Sequence, residues 1–144
     1  MENREITLKL AKEFAETALS DLKSAEIELK AGIYNNSVYH SQQAVEKMIK
    51  ALLIIHNLFV ESHFVADLLK RTKEKIEEKV IYCAKMLERN WIVSRYPFLR
   101  KNEVWSPVKA FTEADAKDAL RKAKYVCKYI LTLLKKKYNI KVEK

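Results

Sequence analysis

The stretch 21–53, DLKSAEIELKAGIYNNSVYHSQQAVEKMIKALL, decides the fold. It opens inside an amphipathic helix that the spacing places from about Thr7 to Lys30. Leu8, Ala11, Ala15, Ala18, Leu22, Ala25 and Leu29 recur every three or four residues, which draws one apolar stripe along a helix. Gly32, the single glycine of the chain, is expected to end it, because a left-handed C-cap suits a residue without Cβ. Asn35 and Asn36 extend the turn in this reading. A second helix then runs to about His56, with Val38, Val45, Ile49 and Leu52 on one stripe. Position 42 lies on the same stripe, so Gln42 falls where a core residue belongs. Gln43 falls on the neighbouring face with His40 and Lys47. A buried amide without partners costs about 1–3 kcal/mol. Gln42 is therefore expected to hold the register of a bundle or dimer, or else to help line a site.

Outward from this helix pair, the chain stays poor in breakers. One glycine and two prolines in 144 residues leave little material for tight turns, so long helices are favoured over strands. After NLFVESH, the segment FVADLLKR at 64–71 reads as a short helix. A longer one is expected from about Lys73 to Val93, with Ile76, Val80, Cys83, Leu87 and Trp91 on its stripe. It must stop near Tyr96, because the residue before Pro97 is pushed out of helical geometry. RYPFLRKNEVWSPVKAF, 95–111, is the longest irregular stretch, and loops of this length in compact domains are often functional. Thr112 is an N-cap for the last helix, with Glu113 and Asp115 in its first turn. Ala116, Ala119, Ala123, Cys127, Ile130 and Leu134 form its buried stripe. The expected architecture is all-α, a single domain over 1–144. It is an antiparallel up-and-down bundle of four long helices and one short one.

Charge is uneven along the chain. Residues 1–60 hold 7 basic and 8 acidic side chains, residues 61–112 hold 11 and 7, and residues 113–144 hold 10 and 4. The basic C-terminal half either attracts a nucleotide or nucleic acid, or is a solvated lysine-rich surface. Cys83 and Cys127 are far apart and sit at apolar helical positions, which reads as two buried free thiols. His40, His56 and His63 make no metal motif, and neither metal nor cofactor is expected. The longest apolar run, ALLII, is far short of a membrane span, and MENREITLKL is no signal peptide, so a cytoplasmic setting is expected. The Lys/Glu richness hints at a thermophile.

Few residues are arranged for chemistry. There is no Gly-rich phosphate loop, and Asp115 and Asp118 serve a helix N-terminus better than a metal. Arg95-Tyr96-Pro97 has two readings. Arg95 suits the C-terminal dipole of a helix that Pro97 ends. Alternatively Arg95 and Arg100 offer forked donors to a phosphate, while Tyr96 or Trp105 offers a stacking face. In the second reading Gln43, His40 and Lys47 form the facing wall of the same site.

Several of these stretches together resemble the HEPN family, the higher eukaryotes and prokaryotes nucleotide-binding domain. They are 21–53 as quoted, the histidine of SHFVADLL (62–69), SRYP (94–97) and FTEADAKDALRKAKYV (111–126). The resemblance implies a helical bundle of about five helices, often dimeric. It also implies a nucleotide ligand, or a separately encoded minimal nucleotidyltransferase as partner in a toxin–antitoxin-like module. Ribonuclease members carry an arginine followed, after four to six residues, by a histidine. Here the corresponding positions after Arg89 are Ser94, Arg95 and Tyr96, and after Arg95 they are Arg100, Lys101 and Asn102. This departure from the ribonuclease pattern points to a non-catalytic member that binds a nucleotide, RNA or a partner, and the reading of the residues above supplies its expected site: Arg95, Tyr96, His40, Gln43, Lys47 and Arg100. A divergent ribonuclease, for instance using His40 with Arg95, and a dimeric helical scaffold without ligand are the alternatives.

Overall fold

The computed structural model describes residues 3–142. Helix α1 spans Arg4–Ala31 and α2 Tyr34–Ile55. A 3-10 helix, Ala66–Arg71, leads to α3 (Glu78–Glu88) and the single turn α4 (Asn90–Val93). Strands β1 (Phe98–Arg100) and β2 (Glu103–Trp105) form a hairpin, followed by the short α5 (Pro107–Ala110) and by α6 (Glu113–Tyr138). The all-α bundle is as expected, with this one small hairpin added.

The turn after α1 closes sooner than the asparagines suggest. Gly32 is left-handed at φ +78°, and the Ile33 N–H donates back to Glu28 O at 2.8 Å. With the Gly32 N–H donating to Leu29 O, this loop-back satisfies two of the terminal carbonyls of α1. Asn35 and Asn36 therefore lie in the first turn of α2 rather than before it. The helix pair is antiparallel: His40 meets Glu28, Lys47 meets Asp21, and Arg4 donates to the Ile55 carbonyl. Helix α2 is the centre of the molecule. Every residue from Ser41 to Ile55 except Lys47 is buried, because α1, α3 and α6 surround it. Ala11, Ala15, Ala18 and Ala25 of α1 and Ala116, Ala119 and Ala123 of α6 are buried, and such small side chains let helices approach closely. At the start of α6, Thr112 and Asp115 form a reciprocal capping box, in line with the N-cap expected there.

The helix expected over 73–93 is shorter and broken. Its first turn is missing because Glu74 is drawn into the core instead. That carboxylate takes His56 Nε2 at 3.0 Å, Lys137 Nζ at 2.6 Å and the Tyr138 hydroxyl. Burial pushes its pKa up, but hydrogen bonds from Lys137, Tyr138 and His56 outweigh that and hold it below the ordinary value. Ile76, expected on the helical stripe, lies half-buried ahead of α3. At the other end the chain turns at Arg89, so Trp91 belongs to α4. Three long helices and one of 11 residues thus stand where four long ones were expected. The stretch 95–111 is not irregular throughout. Phe98 and Trp105 stack at 5.8 Å across the hairpin, and Trp105 Nε1 donates to Val93 O at 2.7 Å. Cys83 and Cys127 are buried free thiols, and burial pushes Cys127 up to about 12. No helix among the described residues is long and apolar enough to cross a membrane.

Candidate functional site

Three separated stretches of the chain meet on one side of α2. The first is the line Gln42, Glu46, Lys50, spaced four apart and so stacked along one side of the helix. Glu46 is 5% exposed, and a carboxylate this buried needs partners. It has four. Gln42 Nε2 donates at 3.1 Å, Gln43 Nε2 at 3.4 Å and Lys50 Nζ at 3.1 Å, and His63 Nδ1 lies 3.1 Å away. Gln43 Nε2 also donates to Gln42 Oε1 at 2.8 Å. The adjacent amides therefore act together after all: Gln43 holds Gln42, and both donate to Glu46.

The second stretch is the loop before the 3-10 helix. Glu88 of α3 accepts the backbone N–H groups of Val65 and Ala66, and this pins the loop. Burial raises the Glu88 pKa, against the lowering effect of those two donors. The pinned loop delivers His63 to Glu46. His63 also stacks on Trp91, with ring centroids 3.9 Å apart. Its Nε2 makes no hydrogen bond among the described residues, and the side chain is 43% exposed.

The third stretch is the end of α4. Asn35 of α2 donates to the Ser94 carbonyl at 3.0 Å, which ties this end to the start of α2. Arg95 Nε donates to Trp91 O at 3.0 Å, and its guanidinium lies over three rings: Tyr39 at 4.6 Å, Tyr96 at 4.9 Å and Trp91 at 5.3 Å. Cation–π attraction holds the guanidinium against this aromatic surface. Its two terminal nitrogens have no partner among the described residues, while Tyr96 is 55% exposed. Trp91 touches both His63 and Arg95, and so joins the second stretch to the third.

The expected site residues are thus partly brought together. Gln43, Arg95 and Tyr96 belong to this cluster. His40 and Lys47 are engaged by α1, with His40 Nδ1 2.7 Å from Glu28 and Lys47 2.7 Å from Asp21. His40 keeps one link, an edge contact with Tyr39 at 5.2 Å. Arg100 is exposed at the end of β1, paired in register with Glu103. Tyr39, Glu46, Lys50, His63 and Trp91 were not among the expected site residues. In the sequence Glu46 and Lys50 read as an ordinary i,i+4 ion pair, and only the burial of α2 sets them apart. His63 was marked only as the histidine of SHFVADLL and Trp91 only as a position on a helical stripe; neither reading pointed to a place beside α2. No group of acidic, His or Cys side chains among the described residues could hold a metal ion. The arrangement offers a forked cation and aromatic faces, joined through Trp91 to a histidine whose far nitrogen is open, chemistry suited to a phosphate carrying an aromatic base.

A family model described as the HEPN domain matches residues 11–136. The Methanocaldococcus jannaschii protein named "Putative toxin MJ1304" is 36% identical over 150 residues, covering 98% of this chain and 99% of its own. Among solved structures, TT1696 from Thermus thermophilus superposes with a TM-score of 0.74 at 26% identity, over 83% of this chain and 94% of that one. ST0689, described as an archaeal HEPN homologue, gives 0.66 at 25% identity over 93% and 99%. A HEPN domain protein of Thermotoga maritima shares the fold, with a TM-score of 0.67 at 23% identity over 86% and 98%.

Proposed function

This chain belongs to the HEPN family, and from that premise we propose that it is a non-catalytic, nucleotide-binding member. In this reading it works with a separately encoded minimal nucleotidyltransferase as one half of a toxin–antitoxin-like pair. The observation that carries the binding site is Arg95: its Nε is spent on Trp91, its flat face is spent on three rings, and its terminal fork is open. A phosphate takes that fork through two parallel charge-assisted bonds, and the exposed Tyr96 ring offers the base a face. The toxin-like name of the 36% identical relative supports the paired role. A homodimer is part of the reading. Leu99 and Val104 face each other across the hairpin at 76% and 72% exposure, and Val108 is 78% exposed, an apolar surface that a second copy would cover. Isothermal calorimetry with a nucleoside triphosphate tests the site. Arg95→Ala is expected to weaken binding by about 1–3 kcal/mol, the scale of a lost charge-assisted bond, with the fold intact. Equal affinity in wild type and variant would remove Arg95 from the site.

A second reading, a divergent ribonuclease, is favoured by one observation. In this reading His63 takes the part of the histidine absent from the positions after Arg95, and both side chains contact Trp91. Glu46 holds Nδ1 of His63, and its Nε2 is open, the arrangement of an oriented general base. Metal-independent cleavage of RNA that disappears in His63→Ala would make this the function. No cleavage above the His63→Ala background would leave the binding role.

A further inference from the structure

A second concave surface lies between α1 and α6, and none of its lining residues belongs to the Arg95 cluster. It encloses about 930 Å³. Its floor is apolar, with Leu19 and Leu22 from α1, Leu131 from α6 and Val142 from the segment that follows. Its rim is basic. Lys23, Lys128, Lys135 and Lys141 border it and form no ion pair among the described residues, whereas Lys124 is 3.1 Å from Glu26, the one carboxylate in the lining. The two walls are helical stripes: residues 19, 22, 23 and 26 on one side and 124, 127, 128, 131 and 135 on the other. From Lys124 to Lys135 the α6 wall extends for ~16 Å, about three helical turns.

We propose that this groove is a docking site for an acidic amphipathic helix of a partner protein, with leucine-type side chains on the floor and carboxylates against the lysine rim. Two helical walls with an apolar floor are the receptor geometry for a third helix. Charge decides which helix. A second copy of this chain carries a net charge of +9, and an isologous pairing through this groove would set its unpaired lysines against each other. An acidic segment neutralises them.

The probe is a labelled synthetic peptide of about 14 residues, leucines on one helical face and glutamates flanking them. Its binding to the purified full chain is followed by fluorescence anisotropy. The expected result is saturable binding that weakens by about tenfold or more in Lys128→Glu/Lys135→Glu, and again in Lys23→Glu/Lys141→Glu, with Arg95→Ala unchanged. These lysines are exposed, so circular dichroism is expected to show folded variants. Failure of the wild type to bind would overturn the proposal, as would equal binding of a scrambled peptide of the same composition. So would light scattering in which a wild-type dimer becomes a monomer on reversing Lys128 and Lys135, since the groove would then be an interface between copies.

Discussion

At the residue scale, the buried carboxylate of Glu46 organises the site. Removing its charge leaves Lys50, 11% exposed, as a cation without its carboxylate. Glu46→Gln is therefore expected to cost about 3 kcal/mol, the scale for breaking one side of a buried pair. Denaturant melts check this; an unchanged midpoint would mean that the amides and Lys50 find other partners. Gln42 was legible as a core position because it lies on the apolar stripe of its helix. Its partner was not, because Glu46 and Lys50 read equally well as an ordinary solvent-facing i,i+4 pair. Only the burial of α2 on all sides separates the two cases. His63 fails a spacing rule that counts residues from an arginine, a rule about sequence distance alone. The fold brings it to Trp91 through the Glu88 tether, 25 positions along the chain from the histidine.

At the element scale, caps and periodicity were readable and tertiary overrides were not. Gly32, Thr112 and the stripes of α1 and α6 are local chemistry, and each fell where the sequence placed it. The start of α3 depended on Glu74 reaching His56, Lys137 and Tyr138, contacts that span up to 64 positions. The hairpin was hidden because its strands have three residues each and its turn uses Lys101 at φ +56° where a glycine would have announced it. The Glu74 network also sets a pH dependence. Its folded pKa is depressed, so the unfolded chain takes up the proton first and stability falls as pH drops through and below 4.5. Thermal melts are expected to show wild type losing more stability between about pH 6 and pH 3 than Glu74→Gln does. Parallel curves would show that other carboxylates carry the acid sensitivity. Tyr138, pushed to about 12 by burial and by Glu74, remains protonated throughout that range.

At the scale of the whole molecule, function depends on which surfaces are left uncovered once α2 is enclosed. The hairpin face of Leu99 and Val104 is one of them, and light scattering at micromolar concentration is expected to give a dimer of the 16.9 kDa chain. Leu99→Asp with Val104→Asp is expected to give monomers that melt normally, since both side chains are exposed; a wild-type monomer would remove the dimer from the reading. The overall bundle was legible from helix periodicity, because apolar stripes on several long helices admit few packings. The convergence of 42–50, 63 and 91–96 was not, since it depends on how the loop and α4 fold back onto α2. That convergence is the central claim, and one titration tests it directly: a nucleoside triphosphate added to isotope-labelled protein, followed by NMR of side-chain N–H and imidazole signals. The expected result is that the Arg95 Nε–H, the Trp91 indole N–H and the His63 ring shift together along one saturation curve. His56, half-buried in the separate Glu74 network, is expected to stay in place. If the first three do not move, or move at different ligand concentrations, the three stretches do not form one binding site.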